Sequence, residues 1–252
     1  MKSRLLASIL VSLMLVSPAA TTVFAQSNHS LEWGVDIGEE FTYVLQRAFY
    51  ADTNSKAFIE AQLPFLAQMQ AGQKVFLEVN YLDIIESVIN ESSQLPRSYC
   101  SLLRINDSAV IMSDLTSLVI PIGDWDFFDE IENITGTQGQ TLIDNADEWG
   151  FTASGLITNP GATDISVHIE MRYEKENGTL SYLRRRYSAL GNDIIDVIFV
   201  HWYPGMPTIV GGGIQTTTLL MIAVGSIMSS IIAFIVYRGI KGKKSVAQRL
   251  GE

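Results

Sequence analysis

The sequence contains one cysteine, Cys100, and three histidines among 252 residues. One cysteine cannot form an internal disulfide, so a small disulfide-stapled domain is excluded. Cys100 lies in SYCSLLRI, a stretch typical of a strand, and we expect a buried free thiol; an intermolecular disulfide is the alternative. The histidines, His29, His168 and His201, lack metal-ligand spacings such as HxH or HExxH, so the sequence predicts no metal site and no cofactor.

Charged side chains are absent from residues 219–237. Nineteen apolar residues rise about 28 Å as a helix, close to the hydrocarbon thickness of a bilayer. The tail that follows, 238–252, has five basic residues and one acidic residue. Because cationic residues stay on the cytoplasmic side, these features predict a single transmembrane helix with the N-terminal part extracellular and the C-terminus cytoplasmic. A buried core helix is the alternative.

Small residues recur every four positions in this predicted helix, at Gly225, Ser229 and Ala233. A face of small side chains lets two helices approach closely. We therefore predict that this face packs against a second copy or another span. The ordinary abundance of small residues in membrane spans is the alternative explanation.

The N-terminus has the pattern of a secretion signal. Lys2 and Arg4 precede an apolar run over residues 5–16, and Val23 and Ala25 occupy the positions that a signal peptidase recognises. An uncleaved anchor is the alternative. The predicted organisation is a signal peptide (1–25), an extracellular domain (26–210), a linker (211–218), the span (219–237) and the basic tail (238–252), all at the cell membrane.

Basic residues are scarce in the extracellular part. Residues 26–213 contain 26 acidic and 10 basic side chains, a net charge of −16. Such a domain repels nucleic acid and anionic lipid, so both are discounted as partners. Five N-x-[ST] sequons precede the span and predict N-glycans on exposed loops or turns. Their asparagines are Asn28, Asn90, Asn106, Asn133 and Asn177.

Period-2 alternation dominates the extracellular part and predicts a mainly β fold. In DISVHIEMRY the apolar residues alternate with polar ones, Asn177-Gly178 supplies a hairpin turn, and two more strand-like runs follow. We predict an antiparallel sheet of about seven or eight strands, as a sandwich or a half-barrel. The other predicted strands lie in GEEFTYVLQRAFYAD, QKVFLEVNYLD, SYCSLLRIND, AVIMSD and WGFTASGLIT.

Two segments predict short helices. SKAFIEAQLPFLAQMQAG has helical composition, with Pro64 as a kink or a restart. GDWDFFDEIENI begins at Asp124, a good N-cap, and repeats Trp125, Phe128 and Ile131 at helical spacing. We expect this helix to plug one end of the sheet. The next segment, TGTQGQTLIDNADE, is predicted to be a surface loop.

Residues that carry chemistry are few, and we predict no enzyme. GxSxG and phosphate-binding glycine loops are absent. Acidic clusters in GDWDFFDEIE and DNADE suit either helix capping or Ca²⁺. His168 is predicted to be solvated, and a two-histidine site with His201 is an open alternative. Arg184 and Arg186 share one strand face, where they either pair with acids such as Glu170 or Asp196, or contact an anionic ligand or partner.

The layout of signal, β-rich ectodomain, linker, span and basic tail resembles archaeal-type single-pass surface proteins. The hairpin YEKENGTL, residues 173–180, resembles the Y-[DE]-K-x-[TN]-G-x-L hairpin of that group. It is also similar to hairpins in half-barrel lipoprotein carriers of the LolA and LppX type. The second resemblance implies a concave apolar sheet that holds lipid, and it transfers no functional residue.

Three functions follow as hypotheses. The first is a non-catalytic, membrane-anchored ectodomain that binds a surface partner or forms part of the envelope. The alternative is a tethered domain that binds or carries a hydrophobic ligand; a deep apolar cavity would favour it, and a sheet fully packed by its helices would argue against it. The third is a hydrolase, which needs His168 or His201 beside carboxylates in a cleft.

Overall fold

The computed structural model describes residues 29–158 and 163–211. They form one open antiparallel sheet of nine strands with two short α-helices, α1 (Thr53–Gln62) and α2 (Trp125–Glu132). Two 3₁₀ helices span Pro64–Gln68 and Ser92–Gln94. The strands are β1 (Glu40–Tyr50), β2 (Lys74–Leu82), β3 (Ser98–Arg104), β4 (Val110–Leu115), β5 (Gln140–Asp144), β6 (Glu148–Ile157), β7 (Ile165–Glu174), β8 (Leu180–Ala189) and β9 (Asn192–His201).

The strand order is β4-β3-β2-β1-β9-β8-β7-β6-β5, with every neighbouring pair antiparallel. Two meanders, one from each half of the chain, meet where β1 pairs with β9. The predicted mainly β, antiparallel class is confirmed. The strands belong to a single sheet and not to the two sheets of a sandwich, and they number nine rather than seven or eight.

The additional strand is β5, in a segment for which we predicted a surface loop. Its five residues hydrogen-bond to β6 with Leu142 opposite Phe151. A strand this short shows too little alternation to be recognised from sequence. Its conformation is determined by its hydrogen bonds to β6. The predicted loop over TGTQGQTLIDNADE is therefore wrong at Gln140–Asp144.

Both predicted helices are present. The first ends at Gln62, and a 3₁₀ turn restarts at Pro64, where proline cannot continue the α-helical hydrogen bonds. The second is capped by Asp124, whose carboxylate accepts a hydrogen bond from the Phe127 amide at 3.2 Å. α2 buries Phe127 and Phe128. Its Trp125 ring lies 5.8 Å from that of Trp149 on β6, so the helix covers the β6 side of the sheet.

The core lies on one face of the sheet, where alternate residues such as Tyr43, Leu77 and Phe199 are fully buried. The helices cover this core face. Cys100 is buried there as a free thiol, as predicted, and burial raises its pKa to about 11. Side chains from the helices and loops that pack on this face are Ile59, Phe65, Leu66, Phe127, Phe128 and Ile134.

The opposite face, the outer face, is partly covered by the C-terminal strap, residues 202–211. Val44, Ile198 and Val200 pack there against strap side chains that include Trp202 and Val210. The Val210 amide donates to the Gln46 carbonyl at 3.0 Å, so the strap is fixed to β1.

Within residues 29–158 and 163–211, no helix is long and apolar enough to cross a membrane. The predicted signal peptide, the predicted span and Asn28 lie outside these residues, as do Gly225, Ser229, Ala233 and the basic tail.

Leu77→Ala should lower the free energy of unfolding by about 2–5 kcal/mol, because it leaves a cavity in the packed core face. Leu190→Ala is the matched control, since Leu190 is 84% exposed and its truncation should change the unfolding free energy by less than about 0.5 kcal/mol. Urea unfolding of the predicted domain, residues 26–210, measures both. Equal effects would contradict the assignment of the core to this face.

Candidate functional site

An open cleft of about 1050 Å³ lies where β6 and β8 begin and β7 and β9 end. In an antiparallel sheet these four termini meet at one end, and the strap forms one wall of the cleft through Tyr203 and Met206. Side chains of both signs and several aromatic or hydroxyl groups line it. They include Glu148, Arg172, Glu174, Ser181, Tyr182, His201, Tyr203 and Met206.

Three polar side chains form the His201 cluster, namely His201, Glu174 and Tyr203. His201 Nδ1 lies 2.7 Å from Glu174 Oε1, and the Tyr203 hydroxyl donates to the same oxygen at 2.6 Å. The Tyr203 hydroxyl and His201 Nδ1 are 3.1 Å apart. One carboxylate oxygen thus joins the end of β7 to the end of β9 and to the strap.

The cluster keeps Glu174 ionised. Burial alone would raise the pKa of Glu174, but the hydrogen bonds from His201 and Tyr203 outweigh burial and lower it below the ordinary value of 4.5. Burial, together with the hydrogen bond to Glu174, raises the pKa of Tyr203 well above its ordinary value. Tyr203 is therefore a protonated donor and Glu174 a charged acceptor near neutral pH.

Aromatic packing holds the His201 ring in place. The ring stacks on Tyr43, with centroids 5.2 Å apart, and meets the edge of Phe41 at 5.6 Å. Tyr43 stacks in turn on Phe199, with centroids 5.0 Å apart. His201 is only 7% exposed, so it presents a fixed edge to the cleft. The cluster is rigid because the core positions it.

A second group of polar side chains lines the wall formed by β6, β7 and β8. Arg172 donates from Nη1 to Glu148 at 3.2 Å and from Nε to Glu170 at 2.7 Å. Ser181 Oγ donates to the other Glu148 oxygen at 2.7 Å. The Arg172 guanidinium lies 5.1 Å from the Tyr182 ring centroid. This wall presents hydrogen-bonding groups in which one guanidinium is shared by two carboxylates.

The ion-pair interpretation of the arginine run is confirmed for Arg184, whose guanidinium donates to both oxygens of Asp196 at 2.9 and 3.0 Å. Asp196 is buried, and Arg47 Nε approaches its Oδ2 at 2.7 Å without hydrogen-bond alignment. Arg186 donates to Asp193 at 2.7 Å. Contact of Arg184 and Arg186 with an anionic ligand or partner stays a prediction.

The two strand histidines do not form a site. The His168 ring contacts Ser154 Oγ at 3.1 Å and is partly exposed, in line with the predicted solvated position. Glu174, the partner of His201, lies six residues further along β7, about 20 Å away. The two-histidine alternative is therefore wrong.

The acidic clusters have structural partners. Asp124 caps α2, Asp129 accepts hydrogen bonds from the Thr135 amide and hydroxyl at 3.0 and 3.1 Å, and Asp144 pairs with Lys175. Among residues 29–158 and 163–211, no group of three or more His, Cys, Asp or Glu side chains could hold a metal ion.

The sequons differ in their surroundings. Asn106 and Asn133 are exposed in turns, and Asn90 is partly exposed. Asn177 is different, because its Oδ1 accepts from the Thr179 amide and hydroxyl at 2.8 and 2.7 Å and its Nδ2 donates to Glu174 at 3.1 Å. Thr179, the hydroxyl residue of that sequon, is 0% exposed.

Sequence reasoning found His201 but missed Glu174 and Tyr203. Tyr203 lies two residues after His201, a spacing that offered a weak signal. Glu174 lies 27 residues before His201, and only the pairing of β7, β8 and β9 brings its carboxylate to the ring.

No known protein family, curated protein or solved structure matches the chain. Fold and cleft geometry are therefore the observations from which a function is inferred.

Glu174→Gln should destabilise the domain most near neutral pH. A carboxylate with a lowered folded-state pKa contributes stability above its unfolded pKa, and this contribution is lost as pH falls through the folded pKa. The difference in unfolding free energy between wild type and Glu174→Gln should therefore shrink below about pH 4.5. Urea unfolding across this range tests it. Glu176→Gln is the control two residues away, at an exposed position, and the same pH-dependent loss in that variant would contradict the role of the cluster.

Proposed function

We propose that the chain is a membrane-anchored cell-surface protein whose ectodomain binds a partner or contributes to envelope structure, without catalysis. The sequence layout supports the anchor and the orientation. The cleft at the His201 cluster is the proposed contact site. We include the predicted self-association through the span, on Gly225, Ser229 and Ala233, in this proposal.

The observation that carries this proposal is the open cleft with a rigid polar lining. Its donors and acceptors, the His201 cluster and the Glu148–Arg172 wall, are held by the core and by ion pairs before any partner arrives. Groups held in advance lose little side-chain entropy on binding. An open cleft of this size accommodates a protruding polar segment of a partner better than an enclosed apolar molecule.

Binding of a hydrophobic ligand is the alternative, with the sheet curved as a half-barrel. The filled core face weighs against it, because the helices and their buried side chains occupy the surface that a lipid would need. Organic extraction of the purified chain followed by mass spectrometry distinguishes the two proposals. A lipid recovered in stoichiometric amount would favour the alternative.

A hydrolase has one observation in its favour, since His201 lies beside Glu174 in a cleft. The Glu174 carboxylate, however, already accepts from Tyr203 and Asn177, and Asn177 in turn bonds Thr179 in the hairpin turn. Hydrogen bonds from Tyr203, Asn177 and His201 fix the Glu174 carboxylate in the fold. A carboxylate held in this way favours a structural role over proton transfer. We therefore retain the non-catalytic proposal.

Expression of the full chain in an N-glycosylating host tests display and orientation. We expect retention in the membrane after alkaline extraction, and glycans at Asn106 and Asn133 but little at Asn177, because its amide and Thr179 are already engaged. Peptide mapping by mass spectrometry measures the occupancy of each site. Release of the chain by alkali, or glycans on none of the sequons, would contradict the proposed display.

Photo-crosslinking tests the contact site. Benzoylphenylalanine at Tyr182, in the cleft, should give a discrete protein adduct on intact cells of the source organism. The same substitution at Tyr81, which is 52% exposed and lies outside this cleft, should give none. Adducts of the same mass from both positions, or none from Tyr182, would refute the cleft as the contact site.

A further inference from the structure

The C-terminal strap determines where the chain leaves the folded domain. Arg47 Nη1 donates to the Gly211 carbonyl, and Gln46 Nε2 donates to the Pro207 carbonyl at 2.6 Å. Arg47 lies opposite Ile198 near the middle of the β1–β9 pair, on the outer face. The last described residue therefore lies over the outer face and not at an end of the sheet.

Only seven residues, 212–218, separate Gly211 from the predicted span. Fully extended, seven residues reach about 25 Å. If the span crosses the bilayer, the exit point is within this distance of the membrane surface.

The outer face differs in charge from the rest of the domain. Four arginines and four acids are joined there in ion pairs, so these eight formal charges cancel. Glu40, Glu78 and Glu174 lie on the same face with Lys74 and leave it a net charge of −2, whereas residues 26–213 carry −16 in total. Because its charges are nearly balanced, this face is repelled by anionic headgroups less strongly than the acidic surfaces of the domain are. The paired residues are Arg47, Arg172, Arg184, Arg186, Glu148, Glu170, Asp193 and Asp196.

Side chains typical of a membrane interface lie on the same face. The Lys74 ammonium lies 3.0 Å from the Trp202 ring centroid, and Phe49 and Ile209 are large exposed apolar residues. Tryptophan and lysine favour the headgroup layer because each has an apolar body and a polar end. The Arg186 side chain is 43% exposed and remains open to an anion beyond Asp193.

We propose that the outer face of the sheet is the membrane-apposed surface of the domain, with Arg186 in contact with lipid headgroup phosphates. The inference rests on the proposed membrane anchor. It replaces the exclusion of anionic lipid that we drew from net charge, because this face carries only a small part of the acidic excess. The cleft then opens at the rim of the membrane-apposed surface, since Arg172 and Tyr182 line both.

Fluorescence energy transfer from the domain to the lipid surface tests the orientation. The full chain is placed in vesicles of phosphatidylcholine and phosphatidylglycerol that carry a headgroup acceptor. A donor is attached at Ser166→Cys, exposed on the outer face of β7, or at Asn54→Cys, exposed on α1. Cys100 is buried and its thiol pKa is raised, so it should not compete for the label.

The two label sites lie near the same end of the sheet but on opposite faces. α1 reaches this end through Gln62, which accepts from Arg185 and Tyr187 on β8. We expect transfer from Ser166→Cys to be at least about twice that from Asn54→Cys, because packed layers lie about 10 Å apart. Equal transfer, or stronger transfer from α1, would overturn the inference.

Charge reversal tests the headgroup contact. Arg186→Glu should reduce the difference in transfer between the two labels. Arg104→Glu is the matched control, since Arg104 is 42% exposed and also pairs with one aspartate, Asp107, but lies at the end of β3. An equal effect of both variants would show a general effect of net charge and would remove Arg186 from the contact.

Vesicle flotation distinguishes a missing membrane anchor from a wrongly assigned membrane-apposed surface. A chain that fails to float with the vesicles would refute the membrane anchor of the proposed function, and the inference would fall with it. A chain that floats but shows no preference for the outer face would refute the inference alone.

Discussion

The pairing of β1 with β9 is the interaction on which the rest of the structure depends. It joins the meander β4-β3-β2-β1 to the meander β9-β8-β7-β6-β5, and without it the chain would have two smaller sheets with incomplete cores. The ladder extends from Tyr43 opposite His201 to Tyr50 opposite Ile195. The stacked rings of Phe199, Tyr43 and His201 lie across this seam, so the core and the candidate site share one set of contacts.

The pairing of β1 with β9 also explains how a polar cluster is stabilised beside the core. His201 and Glu174 bring a hydrogen-bonded, charged group to the rim of an aromatic column, where partial burial strengthens each hydrogen bond. Tyr203 closes the cluster from the strap. The cleft thus has a floor set by the sheet and a wall set by the segment that leads toward the predicted membrane span. The core, the strap and the candidate site are thus linked through three side chains.

Much of the fold could be predicted because its signals are local. Alternation identified eight strands, Asn177-Gly178 identified a hairpin, and Asp124 identified a helix start. β5 was missed because its conformation depends on its partner strand, and the single sheet was not distinguished from a sandwich because alternation does not reveal which strands become neighbours. The candidate site could be predicted only in part. Glu174 and Arg172 reach their partners only because the strands pair in this register, which the sequence pattern does not show. Net charge is limited for the same reason, because it does not show that four arginines and four acids are paired on one face.

The position of β9 also determines the order in which the chain can acquire its structure. The central strand of the sheet is the last to be synthesised, and β1 must wait about 150 residues for its partner. The first meander therefore has an unpaired edge at β1 until residues 192–201 arrive. An unpaired edge strand can pair with other chains, so this topology requires that the edge be protected until the sheet is complete. Only 17 residues separate His201 from the predicted anchor. If that segment is the anchor, the sheet would be completed at nearly the same time as the span is synthesised.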